Sequence, residues 1–513
     1  MNGVPSLSVL AYDLGATSGR ALIGRLTDRK LEVEEIHRFP NDPVRIGSRL
    51  HWDILRLFHE VRQGLINAKN SVSGGIRSLA IDSWGVDVGF LDAHGELLGN
   101  PYHYRDHHTD GIMEEAFRVV PRAEIFKRTG IQFLQINTIY QLYAMKKADS
   151  TVLRNARSVL MIPDLLRYFL TGEKHGEFSN ATTTQLFNPI EGAWDRTLID
   201  RLGLDPSIFP DVNMPGTFVG PVRSSIQEEL GIPAIPVIAV AEHDTGSAVA
   251  AVPSLTKDFA YLSCGTWSLM GTEVDAPVLT DEALQLNFTN EGGVGRTYRL
   301  LKNIMGLWIL EECRRTWLKA GQSLSYAEMI AQAGQAEPFR SLIDPDDDLF
   351  LNPLDMPAAI REFCQRTGQP LPDSVGAYVR CILESLALKY RYVLEMTERL
   401  SGKSFAGLHM VGGGIKNAML CQFTSNALGK PVWAGPTEGS GIGNILVQYM
   451  TLGDISDIWE ARKIVRDSFP MSLSNLPNGR RHMQDSRACC LLRSNRVSWQ
   501  HETGESDNYQ DSG

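Results

Sequence analysis

The sequence predicts an α/β protein of two lobes that repeat one architecture, with a catalytic cleft between them. Three observations carry that expectation. The chain opens as three antiparallel strands, a helix and a further strand. The second half repeats this element order but not its letters, as an old duplication would leave it. Each half also begins with a strand that runs into a small, glycine-containing turn, Asp13-Leu14-Gly15-Ala16-Thr17-Ser18-Gly19-Arg20 in one and Cys264-Gly265-Thr266-Trp267-Ser268 in the other. With 513 residues, 43% of them hydrophobic and 21% charged, the chain can bury two separate cores.

In order, Leu7–Tyr12 is an apolar run ending at Asp13, and Ala21–Leu26 and Leu31–Phe39 follow as strands around the turn Thr27-Asp28-Arg29. From Trp52 to Asn70 the period becomes helical, with Ile54, Leu57, Phe58, Val61 and Leu65 on one face. Ile76–Ile81 is a short strand entering Asp82-Ser83-Trp84-Gly85-Val86-Asp87, and Asp92-Ala93-His94-Gly95 turns the chain back. This is the element order of a ribonuclease-H-like, or actin-like ATPase, core. Residues 100–219 are less regular; aromatics interleave there with Asn137, Gln141, Asn180, Thr182 and Gln185, which reads as loop and cap chemistry or as a polar ligand site.

The second half gives a strand, turn and strand over Phe259–Met270 and a long helical pattern over Ala377–Leu400. Leu408–Val411 is a strand entering Gly412-Gly413-Gly414 and a helix through Leu428. Pro431–Ala434 is another strand, and Glu438–Asn444 opens a last helix. The expected lobes are 1–252 and 253–475, with 476–513 a disordered tail, because its polar, aperiodic composition buries little.

A net charge of −10, with no long basic run before the tail, argues against a nucleic-acid partner. No stretch reaches the ~18 apolar residues of a membrane helix, and Met1–Pro5 lacks a basic leader region. The seven cysteines are scattered without a CxxC pair, which fits reduced thiols in the cytoplasm; spacing leaves open whether Cys364 and Cys381 are bonded. The sequence carries no signal for oligomeric state.

Chemistry concentrates in a few places. Asp13 ends a strand before a turn whose glycines let backbone amides, with the Thr17 and Ser18 hydroxyls, approach phosphate oxygens. Asp13 would hold Mg²⁺ through water. There is no GxxxxGK[ST] loop. Gly412-Gly413-Gly414 between strand and helix gives a nucleotide a surface without Cβ atoms. Glu242-His243-Asp244-Thr245 interrupts an apolar run, where buried charge must be paired or used. It reads either as a general base, Asp244, or as a helix cap with Thr245. His103 and His107 have the i, i+4 spacing of a helical metal pair but no third ligand in view, so a polar helix start or a substrate loop is the better reading.

Together these motifs resemble the FGGY family of carbohydrate kinases over roughly residues 7–475. The resemblance rests on Asp13–Arg20, Ile81–Asp87, Gly130-Ile131-Gln132-Phe133, Ala181–Leu186, Glu242–Thr245, Ser263–Gly271, Leu301–Trp308, Val411–Gly414 and Gly443-Asn444. It implies phosphorylation of L-rhamnulose at its 1-hydroxyl by ATP with Mg²⁺, in L-rhamnose breakdown. By the same resemblance Ala16, Thr17, Ser18, Gly19, Arg20, Thr266, Glu311 and Gly413 contact ATP. Gly85, His243, Asp244, Thr245 and Asn303 contact the sugar, and Asp244 accepts the proton. Glu311 stands where similar enzymes often carry Gln, so its carboxylate either repels phosphate or meets adenine or ribose. Three other readings stay open from the residues alone: a fuculose or xylulose kinase of the same family, an actin-like ATPase, and a metal phosphohydrolase built on His243-Asp244.

Overall fold

The computed structural model describes residues 7–475; the tail 476–513 and the leader reading at Met1–Pro5 lie outside the described residues. By contacts these residues form two units. One comprises 7–307, Leu394–Asn417 and Pro431–Ser474, and the other Trp308–Val393, Ala418–Lys430 and Asn475. No helix among the described residues is long and apolar enough to cross a membrane.

The first unit holds two large sheets of the expected kind. In the six-stranded sheet the order is Thr217–Pro221, Pro236–Ala239, Ile76–Ser83, Leu7–Leu14, Ser18–Thr27 and Lys30–Pro40. Leu7–Leu14 pairs antiparallel with Ser18–Thr27, setting Asp13 opposite Arg20, and parallel with Ile76–Ser83, setting Asp13 beside Asp82. The seven-stranded sheet runs Thr289–Gly292, Tyr298–Met305, Trp267–Val274, Ala260–Cys264, Leu408–Val411, Val432–Ala434 and Ser472–Ser474. Ala260–Cys264 is antiparallel to the strand after its turn and parallel to Leu408–Val411. Both sheets therefore present the ends of parallel strands, where α/β proteins place ligands.

The helix Ile54–Ser71 begins two residues later than its period suggests, because Asp53 caps it by accepting from the Arg56 N–H at 3.2 Å. Trp52 is left to pack in the core, fully buried. Helix Gly439–Thr451 is not the last: Ile458–Ser468 and the strand Ser472–Ser474 follow it. Period alone conceals that helix, since Arg462 lies on its buried face, where it donates to Glu273 and to the Val249 carbonyl. The strand is three residues long and mostly exposed, so it carries no alternation.

Helix Gly439–Thr451 packs on the six-stranded sheet and on the helix Asp244–Ala250. Gly443 makes that approach possible: a Cβ there would stand 1.7 Å from the Ser247 carbonyl oxygen. Next to it, Asn444 donates to Asp82 at 2.7 Å and Gln448 donates to the Leu10 carbonyl at 3.0 Å.

The second unit is helical, with Trp308–Lys319, Tyr326–Gln335, Met356–Arg366, Ala418–Leu428 and most of Val375–Ser401. Leu342, Ala387, Leu388 and Ala427 form part of its core. Buried Lys389 is paired with Asp344 and Asp346 at 2.8 Å each. Cys364 and Cys381 are both buried free thiols, and no disulfide joins the five described cysteines.

Candidate active site

The phosphate-type turn is a closed hairpin. Gly15 N–H donates to the Ser18 carbonyl at 2.9 Å, and Asn41 clamps both sides, through its N–H to the Thr17 carbonyl and its Nδ2 to the Gly15 carbonyl. Thr17 is exposed, and Ala16, Ser18 and Arg20 are half-buried, whereas Gly19 is buried against Phe39. The Asp13 carboxylate accepts from Arg20 Nη2 at 2.5 Å and from Ser440 Oγ at 2.7 Å, and Arg20 also pairs with Glu438.

Asp244 is the first residue of the helix Asp244–Ala250. Its Oδ1 accepts from the Thr245 N–H at 2.6 Å and from Thr245 Oγ1 at 3.2 Å. Thr245 thus lies inside the helix and supports Asp244; the N-cap position belongs to His243, whose side chain caps nothing. Burial raises the Asp244 carboxyl above the ordinary aspartate range; His243 and the Thr245 N–H oppose the rise, and the Asp13 charge adds to it. With 30% of its side chain exposed, Asp244 stays open to a reactant.

The neighbouring carboxylate, Glu242, faces the other way. Arg167 pairs with Glu242 and with Asp164, all three side chains being buried. Glu177 accepts from Ser179 Oγ and from the N–H groups of Ser179, Asn180 and Glu242, while Ser179 Oγ accepts from the His243 N–H at 3.0 Å. This buried network fixes the backbone that carries His243 and Asp244. The cost that the cluster implied in the sequence is therefore met by pairing at Glu242, while the Asp244 carboxylate stays partly exposed.

The Trp84–Asp87 loop is tied down by hydrogen bonds at Val86 and Asp87. Val86 has φ of 67°, a strained backbone for a β-branched residue. It is held by Thr183 Oγ1, which accepts its N–H at 3.2 Å, and by Thr138 Oγ1, which donates to its carbonyl at 2.5 Å. Asp87 accepts from Trp52 Nε1, Trp84 Nε1, Gln141 Nε2 and the Tyr104 N–H. Gly85 packs against Thr183. The polar residues of the irregular middle segment are thus struts. Asn137 donates to Gln185 and to the Gln132 carbonyl, and Gln132 Oε1 accepts from both the backbone N–H and Nδ2 of Asn303.

Around Cys264, Gly412 and Gly414 serve packing: Cβ atoms there would fall 2.9 Å from the Cys264 carbonyl oxygen and 2.3 Å from its Sγ. Gly413 differs, being exposed with nothing within 4 Å of where its Cβ would stand. It and half-buried Thr266 follow the ends of two paired parallel strands. Glu311 belongs to the second unit. Its carboxylate accepts from Arg314 Nε and Nη2 and from the Tyr326 hydroxyl, and these partners, against the effect of burial, hold it below the ordinary glutamate value. Its charge is therefore already balanced within that unit.

His103 and His107 do not form a metal pair. His103 is buried against Trp52, which pushes its imidazole down to about 3, whereas His107 is exposed and pairs with Asp110. Among the described residues no three His, Cys, Asp or Glu side chains are grouped to hold a metal directly.

Asp82, beside Asp13 in the parallel ladder, is a candidate that its motif alone did not single out. It is fully buried, its Oδ1 has no partner, and burial together with the Asp13 charge holds its carboxyl well above the ordinary range. Glu291 and Arg299 were also missed. Both lie in the stretch after the second turn, and both reach His243 at 3.2 and 3.0 Å. An acidic and a basic residue on separate strands give no spacing signal. Asp13 and Asp82 offer hard oxygen donors, and the unpartnered Asp82 oxygen suits a cation that keeps its waters, as Mg²⁺ does.

Comparison with known proteins agrees with this architecture. The family model "FGGY family of carbohydrate kinases, N-terminal domain" matches residues 8–251, and the C-terminal domain model matches 260–452. The chain belongs to the FGGY carbohydrate kinases, a family of phosphotransferases that use ATP. It is 48% identical over 462 residues to a rhamnulokinase of Bacteroides thetaiotaomicron, covering 90% of this chain and 94% of that one. A rhamnulokinase of Oceanobacillus iheyensis is 42% identical, covering 90% and 97%. Among solved structures, a xylulose kinase from Lactobacillus acidophilus superposes with TM-score 0.76 at 17% identity, over 94% of this chain and 95% of that one. Plasmodium falciparum glycerol kinase with ADP gives 0.74 at 14%, over 96% and 98%.

Proposed function

We propose that this chain phosphorylates L-rhamnulose at its 1-hydroxyl with ATP, yielding L-rhamnulose 1-phosphate and ADP in L-rhamnose breakdown, and that Asp244 is the general base. The sugar identity rests on identities of 42–48% to rhamnulokinases over 90% of the chain. The observation that carries the base is the partly exposed Asp244 carboxylate, next to His243 that bridges to the end of the Ile76–Ser83 strand, while the neighbouring Glu242 is buried and paired.

A neutral hydroxyl is a weak nucleophile, and phosphoryl transfer is mostly a matter of position and charge. As the bond from the sugar oxygen to the γ-phosphorus forms and the bond to the β,γ-bridging oxygen breaks, the hydroxyl proton passes to Asp244. Ala16–Arg20, Thr266 and Gly413 hold the nucleotide. Gly85, His243, Thr245 and Asn303 hold the sugar. The expected lobes 1–252 and 253–475 act together to exclude water, the competing acceptor. Asp13, with Asp82 behind it, would hold Mg²⁺ through water, and the ion when bound supplies neutralisation of phosphate charge. The scattered cysteines, none in a disulfide among those described, fit a cytoplasmic setting.

A panel of ketoses (L-rhamnulose, L-fuculose and xylulose) with coupled ADP detection tests this reading. The highest kcat/KM is expected for L-rhamnulose. Preference for another ketose overturns the sugar, and ADP release independent of any sugar overturns the kinase reading in favour of an ATPase.

A further inference from the structure

Three contacts define the surroundings of the His243 ring. Arg299 Nη2 lies 3.0 Å from Nδ1, Glu291 Oε2 lies 3.2 Å from the same nitrogen, and Asp244 Oδ1 lies 3.5 Å from Nε2. Resting on the base assignment above, we propose that Arg299 and Glu291 are positioning residues that hold His243 as the neutral Nε2–H tautomer, with that N–H turned toward the Asp244 carboxylate.

The argument is one of donors and acceptors. A guanidinium can only donate, so a hydrogen bond from Arg299 requires a lone pair on Nδ1, and the single proton of a neutral imidazole then resides on Nε2. Arg299 is itself immobile: it is fully buried, and its Nε donates to the Gly292 carbonyl at 2.9 Å. Glu291 stands directly opposite it in the antiparallel ladder, with Oε2 3.2 Å from Nη2, so the buried cation has its counter-charge. Both groups approach Nδ1, but the Arg299 contact, at 3.0 Å, is the shorter and meets hydrogen-bond geometry, so Nδ1 accepts from Arg299. The backbone under the ring is pinned as well, by the His243 N–H to Ser179 Oγ.

Other titratable groups bear on these residues: Asp13 and Asp82 act on Asp244, the buried Tyr261 hydroxyl faces Arg299 and Glu291, and Glu273 lies opposite Arg299 on the next strand. A neutral Nε2–H steadies the ionised form of Asp244 without competing for the sugar proton. The 3.5 Å separation is of the kind that shortens when reactants bind.

The direct test is ¹⁵N NMR of the full chain carrying ¹⁵N-histidine. His243 is expected with its proton on Nε2; a proton on Nδ1 in the wild-type protein overturns the inference without any variant. In Arg299→Gln, Glu291 is expected to capture the Nδ1 proton, and kcat to fall about 10- to 100-fold with the KM for ATP unchanged. The acid limb of kcat/KM should then move to higher pH, because a lone pair now faces Asp244. Arg299→Lys, which keeps a donor, should recover part of kcat. In a His243→Gln background, Arg299→Gln should lower kcat no further; multiplying losses would refute the positioning role. An active Asp244→Asn enzyme sinks the base assignment alone, whereas an Nδ1–H tautomer sinks this inference alone.

Discussion

Gly443→Ala is the sharpest perturbation of the site that touches no site residue. By helix propensity alone the change is favourable by about 1 kcal/mol. Packing opposes it. The added Cβ would stand 1.7 Å from the Ser247 carbonyl oxygen. A carbon–oxygen contact tolerates about 3.3 Å, so the two helices must part by about 1.6 Å. The obstructing atom belongs to the backbone, so no rotamer change relieves it. Overpacking costs about 1–3 kcal/mol, which exceeds the propensity gain. Ser247 lies one turn after Asp244 in a seven-residue helix, so the shift carries the base with it. A misplacement of about 1 Å costs about 100-fold in rate. Thermal unfolding and kcat for sugar phosphorylation are the assays, with Gly334→Ala as control. There the new Cβ meets only Met419 Cε at 3.6 Å, so propensity acts alone. The variant is expected to melt several degrees lower and to lose about 100-fold in kcat. A Gly443→Ala enzyme as stable and active as wild type would refute the close-approach argument.

Other expectations follow from the same geometry. Asp244→Asn should abolish transfer while ATP affinity, read by calorimetry, stays near wild type; retained turnover rules out the base. Because burial raises the Asp244 carboxyl, its ionised form is lost as pH falls through that raised value. The acid limb of wild-type kcat/KM should therefore lie above the ordinary aspartate value of 3.8. Asp13→Asn should raise the Mg²⁺ concentration needed for half-maximal rate, and an unaltered Mg²⁺ titration would count against its role. Asp87, raised by burial from 3.8 to about 7, favours the protonated folded state. Its contribution to stability is present at low pH and lost as pH rises from about 4 to about 7. Melting temperatures across that range should show a smaller decline in Asp87→Asn; identical profiles would refute the assignment.

The fold class and the elements around the two turns were legible because periodicity and turn chemistry agree locally, whereas helices such as Thr138–Lys147 and Trp308–Lys319 were not. The Asp13–Arg20 hairpin, the helix after Trp52 and the strand into Asp82 each announce themselves within a dozen residues. Ile458–Ser468 did not, since a buried arginine paired through Glu273 reads as a polar interruption when its partner is 189 residues away. The site divides in the same manner. Asp13 and Asp244 carry local signals, a carboxylate at a strand end or inside an apolar run. Asp82 was visible only as part of a motif, and its unpartnered oxygen is a fact of burial.

By itself the sequence determined the fold class, the opening strands and helix, and which family the chain resembles, because spacing and residue type are local properties. Only the tertiary structure decided that Glu242 is spent on Arg167 while Asp244 remains open. It also decided that Gly412 and Gly414 pack against Cys264 while Gly413 faces open space, and that Glu291 and Arg299 reach His243. Those outcomes depend on which distant side chain arrives at a given atom, and no local pattern encodes that arrival.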